Sequence, residues 1–211
     1  MPTTTAADDT DDTAGAPNSV EIAPYVYAGK RKAPKDITHA IIQEGVEEIQ
    51  TDAFYGCSSL KQVTIPSSVK VIGWSAFYRC PSLEQVELPE SLELIQSGAF
   101  EECRNLKTIS IPRSVTKIGK RAFFRCTNLQ EIKFHKRGKL SEIDDQAFGL
   151  CKSLTTVRIP SSVTRIGDSA FFQCSELEQV FLTQGLVEIG HTRMGNSETM
   201  ADAGATQSLT I

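Results

Sequence analysis

The sequence predicts a solenoid of the α/β class: stacked short coils, with a parallel β-sheet along one face and short helical or irregular segments returning along the other. Three observations carry this prediction. A 23-residue unit recurs, starting at Val46, Val69, Leu92, Val115, Leu140 and Val163. An Ala-Phe pair places Phe54, Phe77, Phe100, Phe123, Phe148 and Phe171 at one point of the unit, with Cys57, Cys80, Cys103, Cys126, Cys151 and Cys174 three residues later. Each unit also holds an apolar alternation such as Leu83-x-x-Val86-x-Leu88, closed by Pro89. Self-similarity at a fixed period of about 20–50 residues marks a stacked repeat architecture.

Within the unit, Val86 and Leu88 alternate as in a strand. Pro89 has no backbone donor and ends it. The other half, Val69-x-x-Ile72-Gly73-x-x-Ala76-Phe77-x-x-Cys80, fits no long helix and predicts a return path holding at most one short helical turn. One unit does not fold alone. About eight inward side chains yield ~1.5–3 kcal/mol each when buried, against ~1–2 kcal/mol of backbone entropy for every residue ordered. Each coil therefore needs its neighbours, with strands ~4.8 Å apart.

The motif L-x-x-V-x-I-P-x-S-V followed by x-x-I-G-x-x-A-F-x-x-C resembles the BspA-type leucine-rich repeat, from Ile37 to Ile189. The resemblance implies a leucine-rich-repeat solenoid whose parallel sheet lines a concave face. It also implies a binding scaffold, in a family that includes bacterial surface antigens and many protist proteins. It brings no catalytic motif.

Composition narrows the function. There is no run of 18 apolar residues, so no membrane insertion is expected. The N-terminus shows no secretory pattern and the chain has no N-x-S/T sequon, which points to an intracellular, cytoplasmic protein, or to the cell surface if the gene starts further upstream. The chain holds 22 Lys and Arg against 26 Asp and Glu, and Asp8, Asp9, Asp11 and Asp12 account for the difference. The remainder is balanced, which argues against a nucleic-acid partner. All six cysteines share one inward position, so they are expected to be reduced and buried. No C-x-x-C pair exists, and neither a metal nor a cofactor is expected.

Along the chain, residues 1–19 read as a disordered acidic tail. Residues 20–36 read as an N-terminal cap built on Tyr25-Val26-Tyr27, with Lys30, Arg31, Lys32 and Lys35 on its edge. Residues 37–190 form the solenoid. Residues 191–211 are a degenerate last coil, with Met194 at the Phe position and Ser197 at the Cys position, or a disordered tail. The unit from Val115 is two residues longer than the others and ends in His135-Lys136-Arg137-Gly138-Lys139.

An enzyme is disfavoured, because His39, His135 and His191 lie on separate units and no phosphate-cradling loop is present. Binding is favoured. The outward strand positions give one row of Ile41, Thr64, Glu87, Ser110, Lys133, Arg158 and Phe181, beside another of His39, Gln62, Gln85, Thr108, Glu131, Thr156 and Gln179. Lys133 and Arg158 are adjacent like charges, which destabilise a sheet when they face each other. The candidate surface is Lys133, Arg158 and Phe181, with His135, Lys136 and Arg137 at its edge and Glu87 and Thr64 further along the row. Such a face predicts a non-catalytic scaffold for a protein partner, an acidic one above all. Against this, Glu131 neutralises the cations and the last coil covers Phe181. Tyr55, Trp74, Tyr78, Phe124 and Phe172 are expected to pack between coils on the return side. The resemblance permits a second reading, a cell-surface adhesin or antigen fragment, and an enzyme with an unrecognised site is a distant third. The residues leave the oligomeric state open.

Overall fold

The computed structural model describes residues 23–182 and 186–190, with the backbone of short strands at 193–194, 198–199 and 208–210. The chain winds as a parallel β-solenoid of about six turns. One ladder runs its whole length: β3 (Glu48–Ile49), β5 (Val71–Ile72), β6 (Leu94–Ile95), β8 (Lys117–Ile118), β10 (Glu142–Ile143), β12 (Arg165–Ile166) and β14 (Glu188–Ile189), each parallel to the next. The opposite face carries β1 (Tyr25–Tyr27), β2 (His39–Ile42), β4 (Gln62–Thr64), β7 (Thr108–Ile111), β9 (Glu131–Phe134), β11 (Thr156–Arg158) and β13 (Gln179–Phe181). Strand β15 (Arg193–Met194) pairs antiparallel with β16 (Glu198–Thr199), and β17 (Ser208–Thr210) pairs antiparallel with β13. The expected tail at 1–19 and the side chains expected to fill a last coil at 191–211 lie outside the described residues.

Two expectations are corrected. The first is the α/β class, because no helix occurs among the described residues and the return segments are turns. The cause lies in two positions flanking each Ala-Phe pair. Asp52, Ser75, Arg121, Gln146 and Ser169 precede the pair, and Arg79, Glu102, Arg125, Leu150 and Gln173 follow it, all with φ between 52° and 61°. Gly98 and Gly56 complete the two sets at φ 66° and 71°. A left-handed residue ends any right-handed helix and costs an L-residue ~1–2 kcal/mol. Hydrogen bonds between coils offset that cost. Ser75, Phe77 and Arg79 donate N–H to the carbonyls of Ser97, Ala99 and Glu101 at 3.0, 2.7 and 2.8 Å, and the pattern repeats along the array. In these segments alternate N–H groups, such as those of Ser75, Phe77 and Arg79, point to the following coil, whereas those of Ala76 and Tyr78 close the turn onto the carbonyls of Gly73 and Ser75.

The second correction concerns the continuous sheet. The face expected to carry one sheet is split into three ladders: β1-β2-β4, β7-β9, and β11-β13 with β17. The stretch 83–88, on which the strand pattern is clearest in sequence, forms no strand. Its outward residues Glu84, Gln85 and Glu87 are weaker strand formers than the Thr at outward positions of neighbouring coils. Lys107 donates N–H to Glu84 at a long 3.3 Å, against 2.8 Å for Gln130 to Lys107 one coil later. The continuous ladder lies instead on the Val-x-x-Ile-Gly side.

The core is a stack of identical layers. The rings of Phe54, Phe77, Phe100, Phe123, Phe148 and Phe171 are fully buried and lie 5.0–5.6 Å apart, near parallel. Tyr27 closes the N-terminal end at 5.2 Å from Phe54, and its hydroxyl accepts the Gln50 N–H at 3.2 Å. The cysteines are free and buried, as expected. Beyond Cys57, each thiol donates to the Phe carbonyl of the preceding coil, as Cys103 does to Phe77 at 3.1 Å.

Glycine follows Ile where adjacent coils approach most closely. A Cβ on Gly119 would meet Gln96 C and Ser97 N at 2.8 Å, both backbone atoms that cannot swing away. Gly119→Ala is therefore expected to lose ~1–3 kcal/mol by overpacking, read as a lower urea midpoint. An unchanged midpoint would show that the coils spread apart at little cost.

Candidate functional site

Each of the two breaks in the strand-face ladder opens a groove. The larger, about 810 Å³, lies between β9 and β11 and is lined by Lys133, Phe134, Lys136, Arg158, Pro160 and Phe181, among others. The cause is the two-residue insertion. Its turn closes through Gly138 N–H to the His135 carbonyl at 2.9 Å, and Lys139 donates back to the Arg113 carbonyl at 2.9 Å. The inserted loop is thus tied to the preceding coil, and β9 stays with β7 and separates from β11.

Four predicted residues therefore share one site: Lys133, Lys136, Arg158 and Phe181. The predicted face-to-face pairing of Lys133 with Arg158 does not form, because their strands belong to separate ladders. Each cation turns to its own partner. The Lys133 ammonium meets Glu131 at 3.2 Å, with both side chains more than half exposed. The Arg158 guanidinium lies over the Phe181 ring, 3.9 Å from its centroid. An exposed pair such as Lys133–Glu131 is worth ~0.2–1 kcal/mol, so an incoming carboxylate displaces it at small cost. The stacked guanidinium keeps its edge free for carboxylate oxygens, which a planar fork binds two at a time.

The other four predicted residues are placed differently. Thr64 and Glu87 line the second groove, about 440 Å³, with His39, Lys61 and Glu84. They are not part of the basic site, since β7 stands between. His135 and Arg137 lie on the exposed loop, where the Arg137 N–H donates to His135 Nδ1 at 3.2 Å. Their side chains do not line the groove.

On the return side Tyr55 and Tyr78 stack at 5.1 Å, and Phe124 is buried under Arg121, 4.2 Å from its ring. Trp74 departs from the expected packing and is 59% exposed. Sequence reasoning missed one charged cluster beside them. Glu101 and Glu102 are buried, and Arg79, Arg104 and Arg125 all approach Glu102, at 3.6, 2.8 and 3.5 Å. Arg121 holds Glu101 at 2.8 Å. Burial pushes the Glu101 carboxyl up, whereas the surrounding arginines outweigh burial and hold Glu102 down. The signal was present: Arg79, Glu102 and Arg125 occupy one repeat position at intervals of 23 residues.

Among the described residues no helix is long and apolar enough to cross a membrane, and no group of His, Cys, Asp and Glu is placed to hold a metal ion. The model of the BspA type leucine rich repeat region matches residues 32–139 and 94–210, in six copies. The chain belongs to the BspA-type leucine-rich repeat family. No curated protein matches it. Among solved structures it is similar to a leucine rich cell surface protein of Faecalibacterium prausnitzii, with 37% identity and a TM-score of 0.63, over 69% of this chain and 38% of that one. It is also similar to the leucine rich repeat protein of T. pallidum, with 34% identity and a TM-score of 0.52, over 76% of this chain and 72% of that one. The chain thus spans less than half the length of the F. prausnitzii protein.

Proposed function

We propose that the protein is a non-catalytic interaction scaffold, and that the groove between β9 and β11 holds an acidic segment of a protein partner. The observation that carries this reading is the convergence of Lys133, Lys136 and Arg158 on one groove with Phe181 beneath the guanidinium. The cations supply complementarity and the ring supplies an apolar anchor, the combination enriched where binding energy concentrates. Further support comes from Glu131, which already occupies Lys133 as an internal carboxylate.

The test is binding of a labelled Glu-rich peptide, followed by anisotropy across a salt series. The variant Lys133→Glu, Arg158→Glu is expected to lose at least tenfold in affinity, and Glu131→Gln to gain a few fold. Unchanged binding in a folded double variant would overturn the proposal.

For location, six free thiols suit a reducing compartment, and we place the protein inside the cell. The F. prausnitzii relative, described as a cell surface protein, supports a second reading, display at the surface. Labelling of intact cells with a membrane-impermeant amine reagent separates the two.

A further inference from the structure

The groove has a charge-complementary segment within its own chain. Residues 1–19 contain Asp8, Asp9, Asp11 and Asp12 and no Lys or Arg. Strand β1 pairs parallel with β2, and Val26 stands beside Ile41, which stands beside Thr64. The segment that precedes β1 therefore joins the solenoid on the same face as the groove, several coils away.

The distances are compatible. From Val26 the outward row crosses five coils to Lys133 and six to Arg158, which at ~4.8 Å per coil is ~24 and ~29 Å. Eleven residues from Asp12 to Ala23 reach ~36–40 Å when extended. Among the basic cap residues, Lys32 competes less well for the aspartates. Lys32 is already paired with Asp52 at 2.9 Å, and among the described residues no aromatic ring backs a cap cation as Phe181 backs Arg158. Lys61, on the same face, sits in a groove with Glu84 and Glu87, which repel an acidic segment.

We propose that the segment Asp8–Asp12 docks in the groove over Lys133, Lys136 and Arg158 and competes there with the acidic partner. The proposal rests on the reading of the groove as an acid-binding site. A few exposed ion pairs alone bind weakly, but a tether that matches its span supplies a local concentration of order millimolar. A weak contact is then well occupied within one chain, and a partner must displace it.

The test uses the full chain in two arms. Zero-length carbodiimide coupling at low protein concentration, read by mass spectrometry, is expected to join the aspartates to Lys133 or Lys136. The link should disappear in the variant Asp8→Asn, Asp9→Asn, Asp11→Asn, Asp12→Asn. Links only to Lys30, Lys35 or Lys61, no link at all, or links only between light and heavy copies in a mixture would overturn the proposal. In the second arm a labelled peptide of residues 3–14 is titrated into both chains, and at least fivefold tighter binding to the Asn variant is expected. Equal binding to both would overturn self-docking and leave the groove reading standing. Binding to neither would overturn both.

Discussion

Replacing Phe123 with Ala is expected to destabilise the protein by about 3–5 kcal/mol. The ring is fully buried and lies 5.2 Å from Phe100 and 5.2 Å from Phe148, within 5° of parallel to each. Its loss opens a cavity that spans two coil interfaces and removes two ring pairs worth ~0.5–1.5 kcal/mol each. Each coil of a solenoid touches only its neighbours, so a weakened interface in mid-array uncouples the two halves. Total stability of ~5–15 kcal/mol leaves little margin for that. Trp74, the only tryptophan, lies four coils before the C-terminal end of the Phe ladder and reports on the N-terminal half. In the parent chain, urea unfolding followed by Trp74 fluorescence and by circular dichroism is expected to coincide. In Phe123→Ala the two curves should separate and shift to lower urea. Coincident curves at an unchanged midpoint would show that the ring stack carries little of the stability.

A second large effect is expected in alkali. Burial pushes the Cys57 thiol up to about 11, with the Lys35 charge drawing it partly back, and the Cys174 thiol up to about 12. Cys80, Cys103, Cys126 and Cys151 are pushed higher still by the same cause. The fold thus retains protons that the unfolded chain releases above its ordinary thiol pKa of ~8.5. Stability is fully present below that pH and falls as pH rises towards the folded values. Each thiol contributes up to ~1.4 kcal/mol per pH unit, so six give a slope of roughly 8 kcal/mol per unit once all ionise in the unfolded chain. Urea midpoints should be flat from pH 7 to 8 and drop steeply between 9 and 10.5. Cys57, the least shifted, should also be alkylated first. A flat midpoint to pH 10 would show that the thiols are less enclosed than their positions indicate.

The core was legible in the chain because only one residue type fits each layer. Phe54 through Phe171 and Cys57 through Cys174 repeat because each ring or thiol meets its own kind above and below. The turn conformation was not legible. Ser75 and Arg79 carry no mark of positive φ, and only Gly56 and Gly98 hint at it, so a helical turn was the natural expectation for a segment that inter-coil hydrogen bonding forces into another shape. Lys133, Arg158 and Phe181 were legible as a row through strand register. The groove that gives the row its use was not, since it arises where β9 and β11 part, and that depends on where the inserted loop is tied. Thr64 and Glu87, in the same row, fall into a different cavity because the stretch 83–88 forms no strand and β7 stands between.

The one-way hydrogen bonds beside the Phe stack give the array a direction. Peptide dipoles of ~3.5 D line up in these inter-coil bonds, so along the Phe stack the two ends are electrically unlike. Its N-terminal pole presents carbonyl oxygens, and the Ala33 N–H meets the Ala53 carbonyl there at 2.7 Å. By the same pattern the opposite pole presents N–H groups from the coil of Phe171. A lid for the first pole must bring donors, and a lid for the second must bring acceptors. Coils can therefore be grafted on or recombined only in the native sense, and a cap moved from one pole to the other would set like charges against like.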